Sequence, residues 1–347
     1  MTNMTSEEEL DLDDVTAQPT QLELDDTCTV ELGGQRFDLV ALAMIGQHYD
    51  GISRAKVQQW IEDGTCLLNG ETSRSKQKVY AGDQLTLKVT LAAEGDWVAQ
   101  DIPLTIVYED EHLLVIDKPA GMVVHPAPGH PDGTLVNAVL HHSEAQRLLP
   151  RAGIVHRLDK DTSGLMVVAK TLLAQSSLIE QLRTRSMGRH YYAICKGVPI
   201  SAGKVDAPIG RDPAHRQRMG VVGGGKPAVT HYRVITRHHY CAELMLKLES
   251  GRTHQIRVHM QHAGFALVGD PLYVKMRGSW LRGMDSVLKQ TLNDFPRQAL
   301  HATELNLIHP ATEEPMSWTS ALPDDLVALQ KALEASDKAA KLASQIQ

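Results

Sequence analysis

Cysteine is scarce: Cys28, Cys66, Cys195 and Cys241 are the only four in 347 residues, far apart and without a C-x-x-C pair. That spacing argues against both a disulfide framework and a zinc knuckle. No H-E-x-x-H stands in the chain, so that catalytic zinc pattern is missing too. Gly220 through Lys226 imitates a glycine-rich phosphate loop, but Pro227 stands where Ser or Thr is required, which argues against nucleoside triphosphate binding. No apolar run approaches the roughly 18 residues a membrane span needs. Met1 to Leu10 is acidic, unlike the basic and then apolar start of a signal peptide. The expected location is the cytoplasm, with no membrane partner.

Basic residues are missing from the first 31 positions, which carry ten acidic ones. Such a like-charge block has little to bury, so residues 1–31 read as a disordered acidic tail. The tail hides the character of the rest. The whole chain has a formal net charge of -7, but without the tail the balance is +3. A mildly basic body permits RNA binding.

Residues 32–90 read as a small α/β module. Arg36 to Tyr49 carries a mostly apolar stripe and predicts a helix. Ser53 is placed to cap a second helix, in which Val57, Trp60 and Ile61 share a face and Gly64 marks the end. Strands are expected over Cys66–Leu68, Thr72–Val79 and Gln84–Val89, the first two joined by the Asn69-Gly70 hairpin signal. Arg54 and Lys56 fall in the first turn of the second helix. Arg74, Lys76 and Lys78 alternate, so an extended strand would put them on one face. These five are the candidate RNA contacts.

Residues 91–103 lack periodicity and read as a linker. From 104 to 325 short β-rich runs alternate with turns, among them Val107–Tyr108, Leu113–Asp117, Gly153–Leu158, Leu165–Ala169, Tyr191–Lys196, Val229–Val234 and Leu244–Leu248. The expected class is α+β with a mixed, largely antiparallel sheet. Residues 326–347 read as a terminal helix and tail.

The chemistry-bearing run is Gly153 to Lys170: two apolar stretches interrupted by a polar loop with Asp159 and Asp161. Spacing alone allows both to be turn formers. Flanking strands could instead hold Asp159 at a pocket edge, where a carboxylate needs a cation to stay ionised. Gly251 to Met260 could supply it. Thr253 reads as the cap of a helix on which Ile256, Arg257 and Met260 are neighbours, and an Arg partner lowers an Asp pKa by about 1–3 units. In Arg189 to Ala193, Tyr191 or Tyr192 could stack on a base or fill core.

On these residues the chain resembles known families. Ser53-Arg54-Ala55-Lys56, Gly64, Leu68-Asn69-Gly70, Lys78 and Ala81-Gly82-Asp83 resemble the S4 RNA-binding domain. His156-Arg157-Leu158-Asp159, Asp117 to Pro126 and Gly251 to Met260 resemble the three signature motifs of the RluA family of pseudouridine synthases. The likeness continues through Lys226–Tyr232, Gly269–Tyr273 and Gln298–Ala302. It implies a pseudouridine synthase catalytic fold behind an S4-like domain. It also implies an isomerase that turns uridine into pseudouridine without a cofactor or metal. Asp159 then matches the essential aspartate, Arg257 its arginine partner and Tyr191 the tyrosine packed against the base. Arg157 fills the gap left by the flipped nucleotide, His156 stands beside it at the substrate, and Ile256 walls the pocket. The implied partner is 23S rRNA of the large ribosomal subunit or its precursor, at the helix 69 stem-loop, and a monomer is expected. Val274 departs from the family's usual glycine. Three rivals remain: a synthase for other rRNA or tRNA uridines, a non-catalytic RNA-binding assembly factor, and a hydrolase using Asp159 with Asp161. The last would need two carboxylates flanking one bond.

Overall fold

The computed structural model describes residues 17–47, 52, 54–94, 97–127, 129–215, 218–274, 280 and 282–346. The first sheet contains β1 (Ala17–Thr27), β2 (Cys66–Leu68) and β3 (Gln84–Glu94) in the antiparallel order β1-β3-β2, with α1 (Phe37–Ile45) and α2 (Arg54–Glu62) beside it in sequence. Phe37, Val40, Ile45, Val57, Trp60 and Ile61 of the helices meet Leu22, Leu24, Leu85 and Leu87 of the strands in one core.

β1 corrects the expectation of a disordered tail over 1–31. Leu22 and Leu24 are buried while Glu23 and Asp25 between them are exposed. This is a period-two pattern that the acidic charge masked. Positions 1–16 lie outside the described residues, as does the Ser53 cap. The strand expected over Thr72–Val79 does not form. Asn69 (φ 53°) and Gly70 (φ 79°) do make the expected tight turn, and Leu68 and Glu71 exchange backbone hydrogen bonds of 3.0 Å, but pairing stops there. The cause is α1, whose N-cap Arg36 makes no side-chain cap. Its free N–H groups need acceptors. The carbonyls of Gln77 and Ser75 take the N–H groups of Phe37 (2.7 Å) and Asp38 (3.1 Å) instead.

The nine-stranded sheet holds β4 (Ile106–Glu109), β5 (Leu113–Lys118), β6 (Ser163–Ala169), β7 (Gly188–Lys196), β8 (Ala202–Asp206), β11 (Val229–Arg237), β12 (Cys241–Leu248), β13 (Leu300–Ile308) and β14 (Pro315–Thr319). Its order is β4-β5-β6-β13-β7-β12-β11-β8, with β14 on β13. Only β6 and β13 pair in parallel, so the sheet is mixed and largely antiparallel, as the sequence predicts. A separate hairpin joins β9 (Ile209–Arg211) to β10 (Met219–Val221). The supposed linker over 91–103 is half structure: β3 runs to Glu94, and Trp97 and Ala99 pack on the main core.

Both faces of the central strands are covered, which is why Leu113–Ile116 and Leu165–Ala169 read as continuous apolar runs. On one face Leu114, Ile116, Met166 and Leu244 meet Leu135 of α3 (Leu135–His142) and Met260 of α5 (Gln255–His262). On the other, Leu178 of α4 (Leu172–Arg183) packs on Val115 and Val167. Leu292 of α6 (Ser286–Asp294) and Leu329 of α7 (Asp324–Ile346) pack on Ile194. Burying each such side chain contributes about 1.5–3 kcal/mol.

Gly153–Leu158 is not a strand. β6 has β5 on one edge and the start of β13 on the other, leaving a single bridge, Ile154 to Val168. Residues 155–162 therefore form a loop that enters β6 at Ser163, followed by Gly164. A Cβ there would collide with the carbonyl oxygen of Ala302, and φ is +115°. Only glycine lets β6 and β13 run this close at the loop's end.

Candidate active site

Asp159 sits in that loop, its side chain 15% exposed. The Thr162 N–H donates to its carbonyl at 3.0 Å, closing a turn. Four side chains brace the loop. The fully buried Lys118 donates to the carbonyls of Pro119 (2.9 Å), Met122 (2.9 Å) and Lys160 (3.0 Å), tying the Asp117–Pro126 run to it. Burial pulls this ammonium down to about 7, against the attraction of Asp159 and Asp161. From the far side Arg297 donates to the Asp161 carbonyl at 3.1 Å. Gln298 donates to the Thr162 hydroxyl at 3.0 Å, and His301 bonds the Ser163 hydroxyl at 2.9 Å.

The cation comes from α5. Arg257 Nη1 donates to Asp159 Oδ2 at 3.0 Å, while its Nε and Nη2 bind Asp270 at 2.7 and 3.1 Å. Asp270 is wholly buried and also accepts the N–H groups of Leu272 and Tyr273 at 3.0 Å. The guanidinium is thus held between two carboxylates. Burial opposes its charge, and Asp159 and Asp270 more than restore it. Burial likewise pushes the Asp159 carboxyl up, but His254, Arg257 and Arg157 outweigh it and leave it at about 2.

α5 starts differently from expectation. Its cap is His254 in the left-handed region (φ 54°), not Thr253. That geometry brings His254 Nδ1 to the Tyr273 hydroxyl at 2.9 Å, and the same hydroxyl accepts the Met219 N–H at 2.9 Å. The Tyr273 ring lies 5.1 Å from the Arg257 guanidinium.

A pocket opens over the pair. Leu158, Tyr191, Leu248, Ile256 and Leu300 give it apolar walls, and Arg157, Asp159 and Arg189 line it as charged groups. An apolar slot with one ionised carboxylate and several cations suits a flat, polar-edged ring attached to a sugar and phosphates. Among the described residues no cluster of His, Cys, Asp or Glu could hold a metal ion.

A relative from Pseudomonas aeruginosa, the ribosomal large subunit pseudouridine synthase D, is 54% identical over 300 residues, 86% of this chain and 91% of that protein. The chain belongs to the RNA pseudouridylate synthase family. The family model of that description matches residues 112–262, which include Asp159 and Arg257. The synthases D of Xanthomonas campestris and Escherichia coli (strain K12) are 48% and 47% identical, covering 89% and 87% of this chain and 92% and 91% of theirs. Human RNA pseudouridylate synthase domain containing 4 has 28% identity and a TM-score of 0.51, over 66% of this chain and 93% of that one. Its domain containing 1 counterpart has 25% identity and a TM-score of 0.50, over 67% and 89%. The protein is an enzyme, an isomerase of uridine in RNA with the pseudouridylate synthase fold.

In this synthase the structure brings together Asp159, Arg257, Tyr191, Arg157 and Ile256, all on the pocket. It does not bring His156 there. That ring is buried and its Nε2 accepts the Val167 N–H at 3.1 Å, anchoring the loop to β6. Burial, then Arg189, push it down to about 3, so it is neutral. Asp161 is off the pocket lining as well, which removes the paired-carboxylate hydrolase. Tyr192 points to the opposite core.

Sequence reasoning gave no role to Asp270, Lys118, Arg189 or Gln298. Asp270 lay in plain view in Gly269–Tyr273, but its job is set by a residue thirteen positions earlier on a helix. Only tertiary structure reveals that pairing.

The depressed carboxyl has a checkable consequence. Its folded value lies below the ordinary 3.8, so the ion pair contributes stability above that range and loses it as pH falls through about 2. An NMR titration of labelled aspartate carboxyls should find Asp159 titrating near 2. A midpoint at the ordinary value of about 3.9 would contradict the pairing.

Proposed function

We propose that this enzyme modifies uridines of large-subunit 23S rRNA, at the helix 69 stem-loop, in the cytoplasm and as a monomer without cofactor or nucleoside triphosphate. The relatives' names support the substrate, since each is called a ribosomal large subunit synthase. The observation that carries the chemistry is the ion pair of Asp159 with Arg257 at the rim of an apolar pocket.

The uridine leaves its stack at a cost of a few kcal/mol. Arg157, half-buried at the pocket, fills the gap it leaves, and Tyr191 packs against the base. Arg257 keeps Asp159 ionised and fixes its direction, so the carboxylate meets the ribose without rearranging. The C1′–N1 bond breaks, the uracil turns within the pocket against Tyr191 and Ile256, and C5 bonds to C1′ with loss of the C5 proton and uptake of a proton at N1.

The N-terminal module serves as an S4-like RNA grip. Arg74, Lys76 and Lys78 are exposed, although on an irregular segment and not one strand face. Arg54 has a structural partner: it binds the buried Asp38 at 2.8 Å, together with Arg36. The Lys56 side chain lies outside the described residues. Neutralising Arg74, Lys76 and Lys78 together should weaken rRNA binding and flatten its salt dependence, by about 0.7 in log–log slope for each phosphate no longer neutralised on single-stranded RNA. Filter binding across a salt series checks this. An unchanged slope removes that face from the interface.

A further inference from the structure

Arg189 lines the pocket but takes no part in the ion pairs that join Asp159, Arg257 and Asp270. It stands on β7 two residues before Tyr191, so the strand's alternation turns both to the same side. The residue is only 7% exposed, and its Nε is sealed from solvent without a partner. Its guanidinium donates no hydrogen bond and makes no ion pair among the described residues. The nearby ionisable ring, His156, is neutral and offers it no negative charge. Gly251 leaves the space it occupies: a Cβ there would come within 2.9 Å of Arg189 Nη1. An arginine cannot shed its proton, and a buried cation without a counter-charge is costly. A fold that keeps one facing a ligand pocket has reserved it for an anion that arrives with the ligand.

Two anions come with a flipped nucleotide, a phosphate and the base itself once its glycosidic bond opens. Depth separates them. Arg157 and Arg252 also line the pocket and are more open to solvent, half-buried and exposed respectively, where a phosphodiester backbone would run. Arg189 lies inside, among Tyr191, Leu248 and Leu300.

We infer that Arg189 is a further catalytic residue, an electrophilic clamp for the uracil anion. The inference rests on the proposed reaction. When C1′–N1 breaks, the bonding pair stays on the ring and its charge spreads over N1 and the two carbonyl oxygens. Arg189 donates to one of those oxygens, most strongly while the base is detached. As C5 then bonds to C1′, its electron pair fills the carbon left electron-poor by the departing base and the ring returns to neutrality. The C5 proton then leaves and N1 takes one up, so the product is an isomer of the substrate. No oxidant, reductant or water is consumed. The neutral base of the bound substrate needs this contact less, so Arg189 acts on the rate and not on affinity.

The test uses the full chain and unmodified 23S transcript carrying tritium at C5 of uridine. Tritium release is followed with enzyme in excess, alongside RNA affinity and thermal unfolding. Arg189→Gln should slow release by about 10²–10³-fold, as loss of a preorganised donor does elsewhere. RNA affinity should stay within about twofold, and the unfolding midpoint should hold or rise because a stranded charge is gone. Arg189→Lys keeps the charge and should recover part of the rate. Wild-type release by Arg189→Gln would overturn the inference. So would weakened binding with normal release at saturation, which would make Arg189 a phosphate contact. A sharply lowered midpoint would show that the guanidinium has a structural partner and overturn it too. If the unsubstituted chain releases no tritium, the proposed reaction itself fails, an outcome distinct from these.

Discussion

Asp159→Asn should abolish pseudouridine formation in the purified enzyme and leave RNA affinity within about threefold. The amide matches the carboxylate in size, and Arg257 keeps its bonds to Asp270 at 2.7 and 3.1 Å, so the helix and pocket should stand. What disappears is the negative charge facing the sugar. Loss of a group that carries the chemistry costs on the order of 10⁴-fold or more in turnover. Binding is spread over many phosphate contacts that Asp159 does not make. Tritium release and filter binding, run on one preparation, read both numbers. Residual activity within tenfold of the parent would remove Asp159 from the chemistry.

Asp270→Asn should have the largest effect on the fold of any single change at the site. Asp270 is wholly buried and accepts two bonds from Arg257 and two from the backbone of Leu272 and Tyr273. Asparagine has one acceptor oxygen and turns an N–H₂ toward a cation. Breaking one partner of a buried pair costs about 3–5 kcal/mol, because the other charge stays buried. Urea unfolding should show stability reduced by that amount with an unchanged slope. Turnover should fall as well, since the Arg257 fork loses the anchor that aims it at Asp159. A stability change below about 1 kcal/mol would show that Asp270 does not anchor the pair.

Much of this site was legible because its residues lie in short local runs. The loop carrying Asp159 and the helix carrying Arg257 each announce themselves by apolar residues on either side of a polar break. Their meeting spans 98 positions, and the resemblance to a known family, rather than spacing, put them together. Periodicity found most strands of the nine-stranded sheet, since both faces are buried and the runs are unmistakable. It failed where another demand took the backbone. The Thr72–Val79 segment has strand-like alternation, but its carbonyls cap α1. Val155–Leu158 is apolar at both ends, yet β6 has little edge left for it. β1 was lost to the opposite error, where acidic residues on the solvent face obscured Leu22 and Leu24 beneath. His156 stands next to the catalytic run in sequence and faces away from it in space. Adjacency in a loop does not fix direction, which here is set by one bond to the Val167 N–H.

The account turns on an ionised Asp159, paired with Arg257, converting uridine in ribosomal RNA. The direct measurement is a map of carbodiimide-reactive positions in 23S rRNA from a strain lacking this gene, rescued with the parent or with Asp159→Asn. The parent should restore modification within the helix 69 stem-loop, and the substituted chain should restore none while accumulating to the same level. Full modification by the Asp159→Asn chain would contradict the account.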